Sequence, residues 1–154
     1  MSKYTRIQVA SIIQKTGLMP LFYSSDINIA KNVLKACYDG GARILEFTNR
    51  GDFAFEIFNE LKKYSLDKLP GMILGVGSVT DSSSASYYIQ MGADFIVTHV
   101  LRKDIALICN RRKILWSAGC GSLSEICKAR HTQALLHHLD TQITRLHPQK
   151  LNIL

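Results

Sequence analysis

Short apolar runs alternate along this chain with longer stretches in which apolar residues recur at helical spacing. That alternation predicts helix and strand in turn. Thr5 to Lys15 reads as a short amphipathic helix with Ile7, Ile12 and Ile13 apolar, ended by Gly17. Leu18 to Tyr23 reads as a strand, with Pro20 marking an unusual edge or bulge. Ser25 and Asp26 can cap a helix reaching about Tyr38, which stops at Gly40-Gly41. The same reading predicts strands at Ile44–Phe47, Met72–Leu74, Phe95–Val97 and Ile114–Trp116. Helices are predicted over Phe53–Lys63, from Asp81 or Ser82 to near Met91, and over Asp104–Asn110.

Strand centres recur roughly every 20 to 28 residues, which suits βα units, and all-apolar strands suit a sheet covered on both faces. Five such units with glycine at most turns favour an α/β fold of (β/α) barrel type. An open doubly wound sheet is the alternative. Such a sheet usually carries Gly-x-Gly-x-x-Gly after its first strand, and that pattern is missing here.

Beyond Gly121 the pattern changes. All ten glycines lie at or before that residue, and four of the five histidines (His131, His137, His138, His147) fall near the end. Ser122-Leu-Ser-Glu125 is a capping box. Ile126, Leu135, Leu136, Leu139, Ile143 and Leu146 then recur at roughly helical spacing up to Pro148. This predicts one long helix, or two with a break, and no sixth strand. The expected organisation is a partial barrel over residues 1–130, of about five βα units, followed by an atypical helical tail over 131–154. A complete barrel of this type has eight units and usually needs roughly 200 residues or more.

Composition narrows the class. A chain of 154 residues with balanced apolar and charged content is expected to form one soluble domain. No apolar run is long enough to span a membrane, the N-terminus lacks a signal-peptide core, and a cytoplasmic location is expected. Cys37, Cys109, Cys120 and Cys127 form no Cys-x-x-Cys pair, so neither zinc nor a redox pair is expected. The net charge of +7 suggests anionic partners, either phosphorylated metabolites or nucleic acid. The basic residues are scattered, and Arg111-Arg112-Lys113, the one cluster, has no interleaved aromatics. It reads as a solvated turn, which argues against nucleic acid.

The candidate chemistry sits in Gly41-Ala-Arg-Ile-Leu-Glu-Phe-Thr-Asn-Arg50. Glu46 lies within the apolar run and Arg50 just past it, where a parallel α/β enzyme presents polar groups at the carboxyl edge of its sheet. Taken alone, the pair reads more readily as a strand-end ion pair than as a catalytic set.

Four segments in order change that balance: Gly40–Arg50, Gly75-Val-Gly-Ser-Val79, Gly92-Ala-Asp-Phe-Ile-Val97 and Gly119-Cys-Gly-Ser-Leu-Ser-Glu125. Through them, residues 1 to about 130 resemble the bacterial 2-keto-3-deoxy-6-phosphogluconate and 4-hydroxy-2-oxoglutarate aldolase family. The resemblance implies a class I aldolase on a (β/α)8 barrel, usually trimeric, acting on a small 2-oxo acid without metal or cofactor. In that chemistry a lysine forms an iminium ion with the substrate ketone, and the iminium takes up the electrons of the breaking carbon–carbon bond. A glutamate removes the C4 hydroxyl proton and later returns it to the enamine carbon. Pyruvate leaves together with glyceraldehyde 3-phosphate or, from the smaller substrate, glyoxylate.

By the same resemblance Glu46 matches the general base, and Arg50 the arginine that holds the pyruvyl carboxylate. Ser78 matches a hydroxyl beside that carboxylate, and Gly75 and Gly77 let backbone amides approach the ligand. His99 stands where the family commonly has a proline lining the pyruvate pocket, and Ala118 also replaces a proline. The Schiff-base lysine is expected near position 138, but that region reads Leu135-Leu-His-His-Leu-Asp140, and no lysine occurs between Lys128 and Lys150. A frameshift or truncation shortly after Arg130 accounts for this. An inactive remnant that at most binds 2-oxo acids or assembles with other subunits is the alternative function.

Other residues take plainer readings. Lys103 is a loop lysine rather than a replacement nucleophile, and Lys113 lies at the wrong end of its strand. His137 and His138, as helix neighbours, point apart and do not make a metal site. Trp116 is core. A phosphate site at Gly119–Ser122, at a helix N-terminus, is the least favoured reading. An open barrel fragment also predicts poor solubility or oligomerisation.

Overall fold

Thr5 begins the chain's order by closing a capping box. Its hydroxyl accepts the Gln8 amide while its own amide donates to Gln8 Oε1 at 2.8 Å. The helix α1 that follows (Arg6–Thr16) ends at Gly17, whose φ of 65° only glycine adopts freely. The computed structural model describes residues 2–134 and the backbone of 136–139. Its elements then run β1 (Leu21–Phe22), α2 (Ile27–Asp39), β2 (Ile44–Thr48), α3 (Ala54–Lys68), β3 (Ile73–Gly77) and α4 (Ser82–Gln90). They continue with β4 (Phe95–Thr98), α5 (Lys103–Arg111), β5 (Leu115–Cys120), α6 (Leu123–His131) and β6 (Leu136–Leu139).

The strands form one parallel sheet in sequential order, β1-β2-β3-β4-β5-β6. Alternate residues of each strand face two separate cores. Ile44, Ile73, Phe95, Val97 and Leu115 form an inner layer with Val9 of α1. Four of these are the first residues of their strands, so α1 lies across the end from which the strands start. The other set, including Leu45, Phe47, Leu74, Val76, Ile96 and Trp116, packs outward against the helices. Two cores on the two faces of a parallel sheet are the arrangement of a (β/α) barrel, here incomplete.

A buried ion pair holds the strand-start end together. Asp94, just before β4, accepts Lys62 Nζ of α3 at 2.6 Å and the Leu74 amide of β3 at 2.9 Å. Its other oxygen accepts the Ser2 hydroxyl at 2.7 Å. Both carboxylate oxygens are hydrogen-bonded, as a charge removed from water requires.

Several boundaries differ from the sequence reading. The first strand is two residues long, because Pro20 has no amide to add to the ladder. Its carbonyl still accepts the Glu46 amide at 2.9 Å. The helix α3 runs five residues past Lys63, carrying the buried Ser65 with it. The fifth strand extends beyond the predicted end at Trp116 through Ser117-Ala-Gly-Cys120, because Ser117 and Ala118 pair with β4 and Ser117 to Cys120 pair with β6.

The tail is the larger correction. The helix after Ser122 stops at His131, and Leu136–Leu139 forms a sixth strand, parallel to β5 with Ser117 paired to Leu136 and Gly119 to His138. The expected long helix and the absence of a sixth strand do not hold over these residues. Leucines spaced three and four apart fit either element over so short a run. What decides is the row of unpaired β5 amides and carbonyls, which a helix would leave unmet. His137 and His138 are therefore strand neighbours, not helix neighbours. The rest of the predicted tail, residues 140–154, lies outside the described residues.

Candidate active site at the carboxyl ends of the strands

Glu46 is the third residue of β2. It shares the inner face with Ile44, and its side chain is 6% exposed. Room for it comes from β3. Gly77 lies beside it, and a Cβ there would overlap the Glu46 carboxylate; a Cβ on Gly75 would strike the Phe95 ring. The two glycines are thus a cradle for a carboxylate and an aromatic ring, a closer structural reason for them than backbone approach to a ligand. Among the described residues, no donor hydrogen-bonds the Glu46 carboxylate. Burial raises its pKa to about 7, outweighing the pull of the Arg50 charge in the other direction. A carboxyl group held there can both take and return a proton near neutral pH.

Arg50 is placed by backbone contacts that run back into the sheet. The Asn49 amide donates to the Gly77 carbonyl and the Arg50 amide to the Thr48 carbonyl, so the turn leaves β2 pressed against the end of β3. There the Arg50 Nε donates to Ser78 Oγ at 3.1 Å. Ser78 is buried and holds a left-handed backbone, with φ at 60°. That conformation costs a non-glycine residue about a kcal/mol or more, and here it aims a hydroxyl at the guanidinium. Nε is occupied, while the two terminal nitrogens of the fork keep free donors for an anion among the described residues.

Two residues that sequence reasoning passed over complete this arrangement. Tyr88 of α4, fully buried, donates its hydroxyl to Asn49 Oδ1 at 2.8 Å and braces the Arg50 turn from behind. Tyr23, after β1, lies over Gly51, where any side chain would collide with the phenol ring. Asn49 sits inside the motif that carries the resemblance, and its position between Thr48 and Arg50 was the available signal. Nothing in the sequence marked Tyr88.

His99 follows β4 and is exposed. Its backbone passes directly over Gly119, where a Cβ would strike the His99 carbonyl. Glu46, Arg50, Ser78, Gly75 and Gly77 are brought together, and His99 stands on the far side of the same end of the sheet. Lys103 is an exposed first residue of α5, and Lys113 lies in the turn before β5, at the opposite end of the strands. Trp116 is core, as read, although its indole N–H has no hydrogen-bond partner among the described residues. At the start of α6 the Gly121 amide already donates to Glu125 Oε2 at 2.6 Å and the Glu125 amide to Ser122 Oγ at 3.3 Å, so two of the amides a phosphate would use there have partners within the chain. No group of three or more metal-ligating side chains occurs among the described residues.

The sequence model of the KDPG and KHG aldolases matches residues 9–134. This chain belongs to that family. It is 24% identical over 128 residues to a 2-dehydro-3-deoxy-phosphogluconate aldolase of Pseudoalteromonas atlantica, covering 83% of this chain and 58% of the relative. A Zymomonas mobilis aldolase with the same description is 25% identical over 118 residues, covering 77% and 54%. Among solved structures, the Z. mobilis 2-keto-3-deoxy-6-phosphogluconate aldolase with 3-phosphoglycerate superposes with a TM-score of 0.69 at 23% identity. The match covers 81% of this chain and 57% of that one. A Legionella pneumophila KDPG aldolase, with pyruvate captured as a covalent carbinolamine, gives 0.67 at 20% identity, covering 74% and 53%. At these identities the structures establish the shared fold. The chain spans a little over half the length of the curated relatives it matches. No described helix is long and apolar enough to cross a membrane.

Proposed function

We propose that the end of the sheet holding Glu46, Arg50 and Ser78 is a 2-oxo acid site, and that its chemistry is the aldol cleavage of its family. The substrate on this reading is 2-keto-3-deoxy-6-phosphogluconate or 4-hydroxy-2-oxoglutarate. The observation that carries it is the Glu46 carboxyl, buried over Gly77 with a pKa near 7 and one turn of chain from a guanidinium fork. Arg50 holds the substrate carboxylate, with Ser78 fixing the direction of the fork. Glu46 takes the C4 hydroxyl proton as the C3–C4 bond breaks, and afterwards returns a proton to C3 of the pyruvyl fragment. His99 lines the far wall. A cytoplasmic location, supported by four unpaired cysteines, and assembly as a homotrimer on the family pattern belong to the same proposal, with no nucleic acid or membrane partner.

Bond cleavage also needs an electron sink. The family's lysine is expected near position 138, whose register position on β6 is opposite Gly119, and histidine stands there. This observation favours a second reading, in which the 154-residue chain binds 2-oxo acids and moves protons but does not cleave. Three measurements separate the readings. Incubation with pyruvate and borohydride, followed by mass spectrometry, yields a lysine adduct if cleavage is retained and none if the site only binds. Pyruvate release from the phosphogluconate substrate reports turnover. Titration of pyruvate by NMR is expected to show saturable binding lost in Arg50→Ala, and no saturation would sink both readings.

A further inference from the structure

We infer that Glu46 and Arg50 together interconvert the keto and enol forms of a bound 2-oxo acid by moving its C3 proton, with no covalent bond to the protein. The inference rests on the 2-oxo acid site proposed above, and it names a reaction that these two side chains carry out without an iminium ion.

The two groups meet over consecutive residues at the end of β3. In the ladder Glu46 is level with Gly75, yet its carboxylate extends along the strand to lie against Gly77. The next residue, Ser78, accepts the Arg50 Nε at 3.1 Å. Carboxylate and guanidinium are thus tied to neighbouring positions whose Cα atoms are about 3.8 Å apart, the scale of a three-carbon acid.

Pinning Nε settles which edge of the guanidinium is presented. Its two terminal nitrogens offer a pair of parallel N–H donors, free of partners among the described residues. A 2-oxo acid carries its keto oxygen and one carboxylate oxygen side by side, and that pair matches the fork. Bound in this way, the keto oxygen rests against positive charge while C3 stays open to a base. Glu46 is that base. It is buried, it accepts no hydrogen bond among the described residues, and it is level with Leu21 of β1 and Gly75 of β3, neither of which is charged. Arg50 is the charge that acts on it. A carboxylate stripped of water and donors is a stronger base than a solvated one.

The electrons balance without a further reactant. Glu46 takes a proton from C3, and the electron pair of that C–H bond becomes the C2–C3 double bond. The C2–O π pair moves onto oxygen, where the Arg50 fork holds the enolate. Return of the proton from Glu46 to C3 restores the keto acid. When Glu46 trades its proton with water in between, the C3 hydrogens are replaced by those of the solvent.

The test follows the C3 protons of pyruvate by NMR in deuterium oxide. The chain is first treated with pyruvate and borohydride, so that any imine-forming lysine is blocked. Exchange about a hundredfold or more above the buffer rate is expected, rising with pH to a plateau above about 7 as Glu46 loses its proton. Glu46→Gln is expected to lower it roughly a hundredfold while binding pyruvate at least as well, because a carboxylate beside the bound anion is removed. Glu46→Asp keeps the charge but draws it back from C3; it serves if the first variant does not fold, and is expected to lose about tenfold. Arg50→Lys keeps a cation without the fork and is expected to lose more in exchange than in affinity. Three outcomes overturn the inference and leave the 2-oxo acid site standing: binding without exchange, exchange abolished by the borohydride treatment, or exchange indifferent to both Glu46 variants. Absence of pyruvate binding sinks the site itself and the inference with it.

Discussion

Tyr88 reaches from α4 to Asn49 and holds the asparagine side chain at 2.8 Å, two residues before the Gly51 over which Tyr23 packs. The Arg50 turn is thus gripped from behind by one phenol and covered by another. Burial raises the Tyr88 pKa above the ordinary tyrosine value, so the hydroxyl stays protonated and donating throughout the working range. Tyr88→Phe is expected to cost about 1 kcal/mol of stability, the usual size for a lost buried hydrogen bond. It is also expected to weaken pyruvate binding several-fold without altering its pH dependence. Calorimetric titration checks this. Unchanged affinity would show that the brace does not govern Arg50.

Glu46 makes the protein's stability depend on pH in a direction opposite to most carboxylates. Its folded pKa of about 7 lies above the ordinary value of 4.5, so the native state keeps a proton that the unfolded chain has released. Stability is therefore full below about pH 4.5 and falls as pH rises towards 7, by about 3 kcal/mol in total at 1.36 kcal/mol per unit. Glu46→Gln is expected to remove this slope and to be more stable than the parent at pH 8. Urea denaturation at pH 5 and pH 8 measures both, and parallel curves for the two proteins would refute it.

Ser78 and Arg50 act as a unit. Ser78→Ala keeps the backbone but frees the guanidinium Nε, and is expected to weaken carboxylate binding about tenfold, in line with 1.5–3 kcal/mol for a hydrogen bond to a charged group. Ser78→Gly relieves the left-handed strain and is expected to be more stable than Ser78→Ala, though no better at binding. Equal stability of the two variants would contradict the strained backbone.

At the other end of the strands, Lys62→Ala leaves Asp94 charged and buried. A loss of about 3–5 kcal/mol is expected. The paired change Lys62→Met with Asp94→Asn is expected to recover much of it, since the charge is removed with its partner. A double variant no better than the single one would mean that the Leu74 and Ser2 contacts, not the charge, are what Asp94 provides.

Thiol reactivity maps the cores. Cys109 is buried and its pKa is pushed up to about 12, Cys120 is raised by burial and by the nearby Glu125 charge, and Cys127 is exposed on α6. A disulfide reagent at pH 8 is expected to modify Cys127 first and to reach Cys109 only on unfolding. Early modification of Cys109 would mean that the α5 layer opens readily.

The βα alternation, the caps at Asp26, Asp81 and Ser122, and the Glu46–Arg50 pair were legible in the sequence because each rests on neighbours in the chain. Strand ends were less legible. Ser117 to Cys120 fell outside the predicted strand, and pairing with β4 and β6 draws these residues into it. The helix α3 begins from a left-handed Phe53, which no propensity anticipates. Tyr88 could not be read at all, because its partner lies 39 residues away.

By itself, then, the sequence determined the order of elements, the parallel α/β class, the carboxylate and arginine at one sheet edge, and the absence of a lysine between positions 128 and 150. Only the tertiary structure decided that Gly77 gives Glu46 its buried seat and that Ser78 turns left-handed to meet Arg50. It also decided that Leu136–Leu139 pairs with β5 as a sixth parallel strand. The reason is physical. Local periodicity and capping act through a few neighbouring residues, whereas burial, strand pairing and the raised pKa depend on groups brought together from distant parts of the chain.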